Sequence, residues 1–123
     1  MKDITVILKD SPGTLADLCE ILAEADINIE GISVITYKGE CPIHILVDDS
    51  DGAREKLEAH WMDIIDERDA LLKEIPDKPG ALAEIARSLA DVGVNIEATY
   101  LTTQGDLALV IDDLDKAQAI LYS

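Results

Sequence analysis

The chain has 123 residues, 26 of them Asp or Glu and 10 Lys or Arg, giving a formal net charge of −16. With aromatics at 3% and Phe absent, it has neither the cations to neutralise phosphates nor the rings to stack on bases, so nucleic acid and anionic membrane are excluded as general partners. No apolar run approaches the roughly 20 residues that span a bilayer, and 48% hydrophobic residues suffice for a core, so a cytoplasmic globular protein is expected.

The first apolar stretch, Ile4 to Leu8 (ITVIL), is a strand candidate that runs into the turn Asp10-Ser11-Pro12-Gly13. A helical pattern follows, with Leu15, Leu18, Cys19, Leu22 and Ala25 on one stripe. Pro12 suits the first helical turn, and Asp26 must take the left-handed exit that glycine usually fills. A second strand begins at Ile27 and a turn follows at Lys38-Gly39-Glu40. The third strand is PIHILV, and the short helix after it starts beyond Val47. Residues 58 to 68 contain DIIDER, a weakly alternating fourth strand.

The same order then returns. Asp10 to Glu30 (DSPGTLADLCEILAEADINIE) reappears as Asp77 to Glu97 (DKPGALAEIARSLADVGVNIE), an offset of 77 − 10 = 67, with ten of 21 positions identical. Val47 to Leu57 matches Ile111 to Leu121 at an offset of 64. A length that first suggests one ordinary domain therefore holds two small copies, at 1–68 and 69–123. The pattern is α+β: two ferredoxin-like βαββαβ two-layer sandwiches in tandem, the second lacking its own last strand. The stretch from about Asp63 to Pro76 is expected to serve both copies as one long or bent strand, unless the open edge of the second pairs with another chain.

The turn before each first helix is the candidate binding site on physical grounds. A helix N-terminus presents unpaired N–H groups and the positive end of the helix dipole, so Gly13, Thr14 and Leu15, and equally Gly80, Ala81 and Leu82, can hold a carboxylate without a basic side chain. Its ammonium could meet Asp10 or Asp77. The alternative is a plain capped helix start. Asn28 and Asn95 carry amides that can both donate and accept; the alternative for them is a turn residue at the helix exit.

Other motifs carry less. Asp49, Asp51, Gly52 and Glu58 have partial calcium-loop spacing, but the first ligand position falls on Val47, and a helix cap is the simpler reading. His44 and His60 have no His or Cys partner at ligand spacing. Cys19 and Cys41 are too far apart for a CxxC unit and read as reduced thiols. No nucleophile–base pair is visible, so enzyme activity, metal and cofactors are not expected.

On the twice-repeated PGxLA helix and N-I-E strand, the chain resembles the ACT domain, a small amino-acid-sensing module, and looks like a tandem pair. The resemblance implies a regulatory, allosteric protein that binds a free amino acid where two such domains meet. By position it implies a ligand set of Asp10, Ser11, Pro12, Gly13, Thr14, Leu15, Asn28 and Ile29, with Asp77, Lys78, Pro79, Gly80, Ala81, Leu82, Asn95 and Ile96 in the second copy. ACT domains are usually appended to enzymes of amino-acid metabolism, which makes a biosynthetic enzyme a possible partner. Strands apolar on both faces add the expectation of a homodimer or larger. The competing readings are a ligand-free interaction module serving as partner subunit of such an enzyme, and a small enzyme on the same fold.

Overall fold

The computed structural model describes residues 1–122 and divides the chain into two compact units, Met1–Asp69 and the residues from Ala70 on. The first unit runs β1 (Lys2–Lys9), α1 (Thr14–Glu24), β2 (Gly31–Val34), β3 (Glu40–Val47), α2 (Ser50–Ala59) and β4 (Asp63–Asp69). Its sheet is antiparallel with strand order β2-β3-β1-β4, the ferredoxin-like arrangement. The second unit runs β5 (Leu71–Lys73), α3 (Ala81–Asp91), β6 (Ile96–Leu101), β7 (Leu107–Ile111) and α4 (Leu114–Leu121), with sheet order β5-β7-β6. Among the described residues it has no fourth strand.

Alternation along the strands builds each core. Ile4, Val6 and Leu8 of β1 and Ile43, Ile45 and Val47 of β3 face Leu18 and Leu22 of α1 and Ala53 and Leu57 of α2. In the second unit Leu71, Leu107, Leu109 and Ile111 meet Ile85 and Leu89 of α3 and Ala117 of α4. Each fully buried Leu, Ile or Val contributes about 1.5–3 kcal/mol by leaving water, which is how domains this small remain folded. The opposite, helix-free faces are mixed. Leu46, Ala108 and Val110 are buried there, and in the first unit Asp3 and Thr5 are buried polar residues.

Several expectations need correction. Asp63 to Pro76 is not one strand: β4 pairs with β1 and β5 with β7, and the two are separated at Ala70. The charged DIIDERD suits an exposed sheet edge, whereas the apolar LLK is drawn into the second core, and Pro76 has no N–H with which to extend it. The second strands also begin later than the apolar pattern suggests, at Gly31 and Ile96. Pro12 and Pro79 precede the helices rather than occupy their first turn, because Gly13 and Gly80 are the N-cap residues. Leu15, placed on the apolar stripe, and its repeat counterpart Leu82 are exposed in that first turn.

At the other helix starts, Asp49 accepts a hydrogen bond from the Gly52 N–H at 2.9 Å and Asp113 one from Lys116 at 3.0 Å, the capping role expected of the acidic cluster after β3. Asp26 adopts φ 58° at the exit of α1. Between α2 and β4, Trp61 has φ 62° and is 94% exposed.

Candidate functional site

Both copies of the turn leave the strand, fold back and enter the helix through a glycine in the left-handed region, Gly13 at φ 93° and Gly80 at φ 88°. Neither helix receives a side-chain cap. In the first turn the Ser11 N–H donates to the Lys9 carbonyl at 2.9 Å, and the Asp17 N–H to the Gly13 carbonyl at 2.9 Å. The second matches it, with Lys78 donating to Pro76 at 3.0 Å and Glu84 to Gly80 at 3.0 Å. The Leu15 and Ala16 amides, and those of Leu82 and Ala83, have no hydrogen-bond acceptor among the described residues. These are the free donors that an anion would take.

The two turns differ in chemistry. The Thr14 hydroxyl donates to the carbonyls of Lys9 at 2.9 Å and Ser11 at 3.2 Å, tying the first turn to the end of β1. Ala81 has no such group and is buried. Asp10, Ser11, Pro12 and Gly13 are exposed, as are Asp77, Lys78, Pro79 and Gly80. Lys78 gives the second turn a cation where the first has Ser11.

Asn28 and Asn95 precede their strands instead of opening them. The Asn28 side chain donates to Glu30 at 3.0 Å. Asn95 is fixed through its backbone: its N–H donates to the Asp112 carboxylate at 2.9 Å and its carbonyl accepts from the Asp112 N–H at 3.2 Å. Both side chains are exposed, while Ile29 and Ile96 are half-buried against their cores. An open groove of about 510 Å³ at Asn28 is lined by Asp26, Ile27, Glu30, Asp48 and Asp49. Its carboxylates can receive an ammonium group and repel a carboxylate.

Strand register places turn and amide at opposite poles. Lys9 pairs with Glu40 at one end of β1 and Lys2 with Val47 at the other, and β2 enters beside Leu46. Gly13 therefore lies beyond the Lys9 end and Asn28 beyond the Lys2 end, and those two ends are about 23 Å apart for seven steps of 3.3 Å each. In the second unit Lys73 pairs with Leu107, whereas Ile96 pairs with Ile111, which separates Gly80 from Asn95 in the same way. Neither unit alone brings its two groups of candidate residues together.

A polar cluster on the helix-free face of the first sheet escaped the sequence reading. The His44 Nδ1 lies 2.9 Å from Asp3 Oδ2 and 3.3 Å from Thr5 Oγ1. Asp3, Thr5 and His44 are separated in the chain by a whole helix and a strand, and only the β1–β3 register joins them. Elsewhere, a broad depression of about 910 Å³ along α3 is lined by Ala83, Ala86, Arg87 and Ala90. No group of three or more His, Cys, Asp or Glu among the described residues is arranged to hold a metal ion. No described helix is long and apolar enough to cross a membrane.

A family model, ACT domain, matches residues 2–59. Curated proteins yield no match. Among solved structures the chain is similar to a protein from Bacteroides thetaiotaomicron, at 24% identity over 98% of this chain and 85% of that one, with a TM-score of 0.86. It is also similar to the ligand-free regulatory subunit of aspartate kinase from Thermus thermophilus, at 23% identity, 98% and 87% coverage and a TM-score of 0.75. The corresponding subunit from Thermus flavus gives 20% identity, 98% and 90% coverage and a TM-score of 0.71. At these identities the likeness establishes a shared fold.

Proposed function

We propose that the chain is a tandem pair of ACT domains that binds a free amino acid where two such domains meet, and thereby regulates amino-acid metabolism. The observation that carries this reading is the polar separation of turn and amide in each unit. An anion-receiving helix start and an amide set among carboxylates suit the two ends of an α-amino acid, yet a single unit holds them a strand length apart. Two domains meeting edge to edge with antiparallel second strands set the turn of one beside the amide of the other, and so complete a site that neither has alone.

The edge available for this is unusually apolar. Residues Gly31 to Tyr37 (GISVITY) contain no charge in a chain that is 29% charged, and Ile32, Val34, Ile35 and Tyr37 are exposed along it. An open strand edge without Lys, Pro or acid invites pairing, which supports a homodimer formed by strand addition. The aspartate kinase subunits of similar fold make a biosynthetic enzyme a reasonable regulated partner.

Calorimetric and thermal-shift titration with the free amino acids tests the proposal. A ligand at one hundred times its Kd stabilises the folded state by about 2.7 kcal/mol, and Asn28→Ala or Asn95→Ala should weaken that response. If no amino acid moves the transition, the sensor reading is wrong. The second reading, a ligand-free partner subunit, is favoured by one observation, the Thr14 hydroxyl closing the first turn on its own carbonyls. Copurification with a metabolic enzyme at an affinity indifferent to amino acids would select it.

A further inference from the structure

The cluster on the helix-free face of the first sheet has no counterpart in the second repeat. Thr5 stands opposite His44 across β1 and β3, with Asp3 two residues away on the same side. The Asp3 carboxylate, 1% exposed, receives the His44 Nδ1 at 2.9 and 3.1 Å and the Thr5 hydroxyl at 3.5 Å. A carboxylate so far from water is costly unless it is paired. Two more charged groups share this face on β4: Arg68 opposite Asp3 and Asp66 opposite Thr5. Arg68 keeps its charge at any working pH, and the position beside His44 on β2 is the neutral Ser33.

At the repeat offset of 67, Asp3 and Thr5 fall on Ala70 and Leu72, and at the offset of 64 His44 falls on Ala108. Leu72 and Ala108 are paired across β5 and β7 as Thr5 and His44 are across β1 and β3. The second unit thus builds the same row of its sheet from Leu72, Ala108 and Tyr100, without a carboxylate or an imidazole, so the fold itself does not call for the cluster. Replacing a buried ion pair by apolar groups is often neutral or stabilising, which makes stability alone a weak reason for it.

We propose that the Asp3–His44 pair is a pH-sensitive lock on the first unit alone, closed while the imidazole is charged and loosened when it loses its proton. The hydrogen bond to Asp3 raises the His44 pKa above the ordinary 6.5 against the opposing effect of burial, and the charges of Asp3 and Asp66 add to the rise. A group whose pKa is higher folded than unfolded stabilises fully below its unfolded value and loses that contribution as pH climbs through its folded value. Stabilisation of the first unit is therefore complete below about pH 6.5 and declines above it. A neutral imidazole can still donate from Nδ1, so the lock loosens rather than opens.

Amide hydrogen exchange on the full chain between about pH 5.5 and 8, corrected for the intrinsic rates, reads each unit separately. The β1 and β3 amides should lose protection, about tenfold for every unit by which the folded and unfolded His44 pKa values differ, while β7 amides keep theirs. His44→Gln, which retains a donor but does not titrate, should flatten the β1 and β3 profile. The triple variant Asp3→Ala, Thr5→Leu, His44→Ala, which takes the residues of the second repeat, should flatten it too. Flat protection in the unmodified chain, an equal slope in both units, or an undiminished slope in His44→Gln overturns the proposal.

Discussion

A methyl group added at Gly13 or Gly80 would touch nothing within 4 Å, yet both positions should resist substitution. Their φ values of 93° and 88° lie where an L side chain crowds its own carbonyl, a conformation that costs about 1–2 kcal/mol for residues other than glycine. Gly13→Ala and Gly80→Ala are each expected to lose about 1 kcal/mol in urea unfolding. Unchanged stability would mean that the turn relaxes into another form and that its amides are not held in place. The same geometry aims the neighbouring N–H groups outward, so amino-acid response should fall further in these variants than stability does.

At the scale of elements, β2 decides assembly. A lysine at an open, uncharged edge both repels a second copy and shields the backbone row. Val34→Lys should therefore shift the chain toward monomer in light scattering at micromolar concentration while changing stability by no more than about 0.5 kcal/mol. A monomeric parent chain would remove the premise. Much of this level was legible before the structure. The offset of 67 exposes the two copies and apolar spacing locates α1, while the short α2 is expected only from its place after the third strand, and the repeat carries both helices into the second copy. Helix positions were less certain at their ends: Leu15 and Leu82 continue the apolar stripe in sequence, but they sit in the first turn, past the reach of the core. The Asp3–His44 pair was not legible at all, since it depends on register, and a slip of one residue would turn His44 to the other face. Asn28 and Asn95 are candidates by their amide chemistry and their position, and their distance from the turns follows only from the direction in which the strands run.

For the whole molecule, charge is the main variable. Sixteen Asp and ten Glu against seven Lys and three Arg leave a field that opposes compaction. Raising ionic strength from about 0.01 to 0.15 M shortens the screening length from about 30 to 8 Å and should raise the Tm. A Tm independent of salt would show that the carboxylates are too well dispersed to repel. The choice of probe matters in this measurement. Trp61 is the only tryptophan in the chain, and its ring is already bathed in water at 94% exposure. Its emission should resemble that of free indole in folded and unfolded chain alike, so intrinsic fluorescence will register almost no melting transition where circular dichroism registers a full one. That silence makes the same indole a clean reporter of contact, because a blue shift on mixing with a candidate enzyme would come from a surface newly covering Trp61.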